Sequence, residues 1–485
     1  MINSTEIAQQ RPVRTFGAGL RRTLVAGAMA LAVPVAVSAD TLADALAGAY
    51  NTSGLLEQNR ALLRAADEDV AGTLAGLRPV IGWSTDIRRS YSNSSGVAGL
   101  AGVRGTSSGA TNLNAGITAE WLIYDFGRTR LSTEAAKEIV LSTRQNLVSI
   151  EQQVLLRAVQ AYMDVQRNTR FVSIRRSNVG VISESLRAAR DRFEVGEVTR
   201  TDVAQAESRL SLSRSNLAQA VGDLERAKEE YLAVVGNVPR NINQPRSLPA
   251  LTRTEETAKQ IALRNHPDML RAQHDVAAAK LNVLVAESAM KPRVTLNAAI
   301  GVTERLNGNS AGQTGEFGVQ IGGPIYQGGA LASAKRRAFA LSDAQLGILH
   351  QTKDRVRQNV GNAYAVLEAA RASAAATAEA VRAGRVAFDG VNEEATLGAR
   401  TTLDVLNAEQ EYLDAQADQI SAQADVIIAS YAVLATMGEL TVRDLNLAVQ
   451  TYDPAAYYNL VKDAPAALSE RGQSLDRVLR KIGKQ

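Results

Sequence analysis

The chain has no cysteine among its 485 residues and only three histidines. The first absence excludes disulfides and any lipid carried on an N-terminal cysteine, and it suits an exported protein that needs no cross-links. The second leaves little material for metal or acid–base chemistry: His266, His274 and His350 show no ligand spacing such as HExxH. His266 precedes Pro267, the arrangement of a helix start. Long apolar runs are also missing. A membrane helix needs about 20 apolar residues, and the sequence predicts none beyond residue 39. The glycines from Gly322 to Gly329 lack the Gly-Lys-Ser/Thr ending of a phosphate loop and read as a strand end and turn. No cofactor and no metal are expected, and no nucleophile constellation of a hydrolase is visible.

Arg11, Arg14, Arg21 and Arg22 precede an apolar run from Leu24 to Val37 that closes in Val37-Ser38-Ala39. This is the pattern of a secretory signal peptide over residues 1–39, with the mature chain starting near Asp40. Arg21-Arg22 raises twin-arginine export as an alternative, although no Ser or Thr stands directly before the pair. Setting the leader aside lowers the formal net charge from +4 to +1. A near-neutral chain lacks the electrostatic footprint of a nucleic-acid binder.

An internal repeat is the most informative feature that is present. Ile123-Tyr124-Asp125-Phe126-Gly127 returns 202 residues later as Ile325-Tyr326-Gln327-Gly328-Gly329. At the same offset Gly196, Thr199, Asp202, Val203, Ala206 and Glu207 recur as Gly398, Thr401, Asp404, Val405, Ala408 and Glu409. Arg78-Pro79 corresponds more loosely to Lys291-Pro292. The sequence therefore divides into a first repeat over 40–247, a second over 248–445 and a tail over 446–485. Each repeat reads as a helical segment, two strands and a long helical hairpin.

From Gly127 to Val238 there is no proline, and good helix formers dominate. Leu147, Val154 and Ala161 make one seven-residue row, with Val148, Leu155 and Tyr162 beside it. Two adjacent seams fit a helix with two neighbours, and the heptads alone equally allow an ordinary two-stranded coiled coil. Arg128 to Val195 and Ala330 to Leu397 are both 68 residues, roughly 100 Å of helix at about 1.5 Å per residue. Glycines 196 and 398 allow reversal there, and the return arms run about 40 residues to Gly236 and Gly438. A segment of about 36 residues in each repeat, 41–77 or 256–290, could stack on a return arm to match the long one.

Four segments alternate with period two. Ile81, Trp83, Thr85 and Ile87 interleave with Gly82, Ser84, Asp86 and Arg88, and Leu113 to Trp121 alternate in the same way. Val294 to Thr303 and Phe317 to Gly322 are the second pair. The stretches Ser92–Ala110 and Arg305–Gly315 read as hairpin loops. One apolar and one polar face suits an outer-membrane barrel and also a soluble sandwich. If the strands lie in lipid, four cannot close, because known membrane barrels start at about eight and an open edge leaves backbone groups unsatisfied. Three copies would then supply twelve strands and twelve helical staves.

The run Leu397-Gly398-Ala399-Arg400-Thr401-Thr402-Leu403-Asp404-Val405-Leu406-Asn407-Ala408-Glu409 resembles the second hairpin tip of the TolC family. Supporting marks are Thr41-Leu42, Asn265-His266-Pro267, the repeated Ile-Tyr turns and Gly323-Pro324. The tail Tyr452-Asp453-Pro454-Ala455-Ala456-Tyr457-Tyr458 is similar to members of the type I secretion branch. The resemblance covers nearly the whole mature chain. It implies an α+β membrane protein of the Gram-negative outer membrane: a homotrimeric, 12-stranded β-barrel continuous with a 12-stave α-helical barrel in the periplasm. The implied function is passive export of proteins or small molecules, with no enzymatic activity. Implied partners are a periplasmic adaptor (membrane fusion) protein, an inner-membrane ABC or RND transporter, and outer-membrane lipid.

By the same resemblance the channel gate comprises Asp202, Arg400, Asp404 and Asn407. Asp404 would form a ring of three carboxylates, and Arg400 would link to Asp202 in the same or a neighbouring subunit. Asn407 and Ala395 depart from the family pattern, which has a second acidic ring and a tyrosine there. Adaptor contact is expected at Val195, Gly196, Glu197, Leu397, Gly398 and Ala399. Solvated helix-end charges are the competing reading of the tip residues. A periplasmic coiled-coil adaptor or structural protein of an export system is the alternative function, and it does not explain four amphipathic strands.

Overall fold

The computed structural model describes residues 40–94, 106–245, 248–251 and 254–482. The expected leader, residues 1–39, lies outside the described residues. The first half runs α1 (Leu42–Thr52), α2 (Gly54–Ala75), β1 (Val80–Ser94), β2 (Thr106–Tyr124), α3 (Arg128–Glu194) and α4 (Arg200–Val235). The second runs α5 (Glu255–Asn265), α6 (Pro267–Ser288), β3 (Arg293–Arg305), β4 (Ala311–Gly322), α7 (Ala330–Thr396) and α8 (Thr402–Met437). Short helices α9 (Ala456–Val461) and α10 (Glu470–Ile482) follow. In both halves the four helices are 11, 22, 67 and 36 residues long.

The single segment of about 36 residues expected before each strand pair is instead two helices. Ser53 and His266 end one helix and cap the next: Ser53 Oγ accepts from Leu56 N at 3.3 Å and His266 Nδ1 from Asp268 N at 3.1 Å. Satisfying the orphan amides of the second helix makes the break stable. The halves differ at the strand-to-helix corner. Phe126 and Gly127 are both left-handed (φ 55° and 82°), as are Gly328 and Gly329 (φ 58° and 86°). In the first half the Asp125 carboxylate holds this turn by accepting from Gly127 N and Thr129 N at 3.1 and 2.7 Å.

Four staves lie side by side. α3 and α7 run unbroken, roughly 100 Å each at about 1.5 Å per residue. Between them α8 packs on both toward the hairpin tips, and α6 packs on both toward the strands. α4 and α2 flank the other side of α3 in the same relation. The stacking joints are tight: Thr52 Oγ1 donates to Val235 O at 3.2 Å, and a Cβ on Gly236 would lie 2.7 Å from Thr52. A Cβ on Gly438 would lie 2.9 Å from the His266 Cα. Both glycines have φ of 86°, so each ends its helix and admits the next one.

Both seams of α3 are used. Leu147, Val154, Ala161, Leu155 and Tyr162 are buried and Val148 is half-buried, so α3 has more neighbours than a two-stranded coil provides. Two-sided packing also corrects one expectation about α8. Among the described residues it is a helix long and apolar enough, by length and composition, to cross a bilayer. Its apolar residues are spent on both neighbours: Ile427, Ala429, Val433, Leu434 and Met437 are buried.

The strands form one antiparallel sheet in the order β1-β2-β3-β4. They are longer than expected. Only 95–105 and 306–310 separate the paired strands, because Ala311–Gly315 continue the ladder with Glu304–Ile300 despite their glycines. Register aligns whole rows: Ile81, Ala119, Ala298 and Phe317 on one face, then Trp83, Ile117, Ile300 and Gly315. The opposite face carries Asp86, Asn114, Thr303 and Gly312, with Asn114 Nδ2 donating to Asp86 at 3.0 Å and Thr303 Oγ1 to Asn114 Oδ1 at 2.9 Å. The apolar face is bare on its two outer strands: Trp83 is 79% exposed and Phe317 78%.

The C-terminal segment wraps the staves near their joints. Val442 N donates to Glu151 at 2.7 Å, Tyr452 N to Tyr50 Oη at 3.1 Å and Tyr457 Oη to Glu68 at 2.5 Å. The Arg60 guanidinium lies between the rings of Tyr50 and Tyr452, at 5.0 and 5.2 Å.

Candidate functional site at the hairpin tips

Both tips are built alike. Val195 caps the end of α3 and Leu397 that of α7, after which Gly196 (φ 80°) and Gly398 (φ 79°) reverse the chain. Thr199 and Thr401 then cap the return helices by reciprocal boxes. Asp202 accepts from Thr199 N and Oγ1, both at 2.8 Å, and Asp404 accepts from Thr401 N and Oγ1 at 3.0 and 2.8 Å. Four residues per tip are thereby fixed, which explains the identical spacing in the two repeats.

These bonds favour the charged carboxylates. Hydrogen bonds from Thr199 hold Asp202 below the usual carboxylate range, and those from Thr401 do the same for Asp404. Both aspartates therefore carry charge and a structural duty together. Val195 and Leu397 are 71% and 84% exposed, with Glu197 and Ala399 beside them in the open. Each tip thus presents one bare apolar side chain at its reversal.

Arg400 does not reach Asp202 within the chain. Its Nε pairs with Glu394 Oε2 at 2.8 Å across its own tip, because the tight reversal brings residues six apart face to face. Asn407 is also engaged: Arg209 Nη2 donates to its Oδ1 at 2.9 Å, joining α4 to α8. Asp202, Arg400, Asp404 and Asn407 thus share one end of the molecule, while their contacts within the chain are made with other residues. Ala395 is buried at 7% exposure in the turn of α7 before the tip.

Sequence reasoning missed a buried polar junction further in. Asn178 Nδ2 donates to Glu409 Oε1 and Ser213 Oγ donates to Asn178 Oδ1, each at 2.8 Å. In the sequence Glu409 is only a mark of the repeat and of the family resemblance, with no role assigned. Its counterpart Glu207 pairs with Arg190 at 2.6 Å in the open. Among the described residues no group of His, Cys, Asp or Glu side chains is arranged to hold a metal ion.

The decisive comparison follows from this layout. Residues 49–237 and 258–439 match the family described as outer membrane efflux protein. The chain belongs to that family. The two matched blocks begin within α1 and α5 and run to the ends of α4 and α8, omitting the linker between the halves and the C-terminal wrap. The outer membrane efflux protein BepC of Brucella suis is 36% identical over 449 residues, covering 91% of this chain and 96% of that protein. The outer membrane protein TolC of Escherichia coli is 24% identical, covering 79% and 78%. Among solved structures, the CmeC outer membrane channel of Campylobacter jejuni aligns with a TM-score of 0.71 at 16% identity, covering 88% of this chain and 90% of that one. This efflux-family chain therefore has the α+β channel fold and resides in the outer membrane. Its family is one of channels, not of enzymes.

Proposed function

We propose that three copies of this chain close into a passive export duct, gated at the hairpin tips and engaged there by an adaptor protein joined to an inner-membrane ABC or RND transporter. The observation that carries this reading is the four-stranded sheet whose two outer strands, β1 and β4, have no pairing strand on their outer sides among the described residues. An open edge in hydrocarbon leaves backbone donors and acceptors unsatisfied at several kcal/mol each, so closure with further copies relieves it. Three copies give twelve strands and twelve staves, with the apolar face that carries Trp83 and Phe317 turned to lipid and the Asp86–Asn114–Thr303 row lining the passage.

At the tips, Asp404 from each subunit contributes to a ring of carboxylates that attracts cations and repels like charge. Arg400, held by Glu394 in a single chain, is free to exchange that partner for Asp202 of the next subunit when tips meet. Val195, Gly196, Glu197, Leu397, Gly398 and Ala399 form the adaptor-facing surface. As to cargo, relatives named for efflux and one named for alkaline protease secretion (25% identical) both fall within range. Small molecules and secreted proteins are accordingly both proposed.

The test is ion conductance by the purified protein in a planar bilayer. Discrete, long-lived, cation-selective steps are expected; a preparation that inserts and never conducts would refute the duct.

A further inference from the structure

We propose that the Asn178–Ser213–Glu409 junction is a proton-operated catch between the two hairpins of one subunit. With the Glu409 carboxyl neutral the hairpins stay docked, and its ionisation loosens α8 from α3 and α4. The proposal rests on the reading of the tips as a gate and adds a control to it.

The junction has the geometry of a catch. Three helices meet in it, and Asn178, Ser213 and Glu409 are 6%, 4% and 6% exposed. An apolar cluster of Ile182, Leu186, Ala206, Leu210 and Leu406 lies on its tipward side and shields it from water at the aperture. Glu409 Oε1 has one donor, Asn178, and Oε2 is buried with none. A lone hydrogen bond is poor compensation for a buried negative charge. Protonation resolves the conflict: the proton goes to Oε2 while Oε1 still accepts from Asn178.

Burial raises the Glu409 carboxyl to about 7, and the bond from Asn178 lowers it only in part. No charged neighbour contributes to that shift. The charged side chains nearest in sequence on the packed helices are Arg175 and Arg176 on α3, Arg209 and Arg214 on α4, and Asp404, Glu411 and Asp414 on α8. Arg209 is engaged with Asn407, and on α7 Arg385 faces Asp389 at 3.7 Å. For a carboxyl raised above its unfolded value, docking is favoured below the folded pKa and weakens as pH rises through it.

The duplication places the catch within a subunit. At the 202-residue offset Asn178 and Ser213 become Ala380 and Ala415, and Glu207 replaces Glu409. A boundary between subunits built on the same pattern would lack both the amide and the hydroxyl.

The experiment compares the intact protein with Glu409→Gln and Asn178→Ala in planar bilayers between about pH 6 and pH 8, after thermal melts show that each variant assembles. Glutamine keeps the acceptor for Asn178 and stays neutral. Wild-type conductance should rise severalfold with a midpoint near 7, the glutamine variant should stay at the acidic level, and Asn178→Ala should shift the midpoint upward by removing the bond that favours the charge. A wild-type profile retained by Glu409→Gln overturns the catch. Arg400→Ala serves as the reference for the gate: if it raises conductance while Glu409→Gln changes nothing, the catch alone fails. If neither Arg400→Ala nor pH alters conductance, the gate reading fails with it. A second readout avoids conductance. Ile182→Cys with Leu406→Cys should cross-link less at pH 8 than at pH 6, relative to the same pair in Glu409→Gln, and equal ratios count against the proposal.

Discussion

At the scale of single residues, the tips show how a capping aspartate serves two ends. Thr401 fixes Asp404 through two hydrogen bonds and keeps it ionised at pH values where an ordinary carboxylate begins to protonate. Its contribution to the cap is present above the unfolded pKa and is lost only as pH falls through the depressed folded value. Cation selectivity should therefore persist into mildly acidic solution in the wild type, and reversal potentials should show it largely abolished in Asp404→Ala, since Asn407 offers no second charge. Unchanged selectivity in a conducting variant would place the filter elsewhere. Arg400→Ala should raise conductance severalfold by removing the cation proposed to bridge to Asp202 of the next subunit. The repeated Gly-x-x-Thr-x-x-Asp spacing marked both reversals in the sequence. Invisible there were the partners chosen in three dimensions: Glu394 for Arg400, Arg209 for Asn407, and the burial of Glu409 against two other helices. Identical motifs in the two repeats leave Glu207 in water and bury Glu409, because burial depends on which helix lies opposite.

At the scale of elements, the long hairpins and alternating strands were legible because each has a single dominant period. The breaks at Ser53 and His266 were not, since a cap inside a helix-forming stretch leaves the hydrophobic pattern undisturbed. The strand ends were missed because Gly- and Ser-rich composition signals a loop, while ladder pairing is satisfied by backbone alone. Joint glycines offer a quantitative test. Gly438→Ala adds a Cβ 2.9 Å from the His266 backbone at a φ of 86° and should destabilise by about 1–3 kcal/mol. Gly390, inside α7 with nothing within 4 Å of its added Cβ, should tolerate alanine and gain about 0.5–1 kcal/mol. Thermal melts of the two variants should move in opposite directions; a common direction would contradict the stacked-stave geometry.

At the scale of the whole molecule, assembly follows from unsatisfied edges. Mass photometry in detergent should give a trimer of the mature chain, and a stable monomer would remove the physical basis for the barrel. Adaptor docking is testable without background, because the chain has no cysteine of its own. Glu197→Cys and Ala399→Cys should cross-link to a periplasmic protein in cells, whereas thiols placed on the apolar face beside Trp83 should not.

The stacking joints also carry a mechanical consequence. In each half one stave passes the joint unbroken and its neighbour is severed there, the severed ends held by caps and, at the first, by the Thr52–Val235 bond. Continuous rods resist bending and shear, whereas butted ends transmit compression and little torsion. A torque applied at the tips would then cross the joints through α3 and α7 alone, so the segment nearest the strands receives less of it. The strand end could keep its seal in the bilayer while the opposite end, tens of ångströms away, twists.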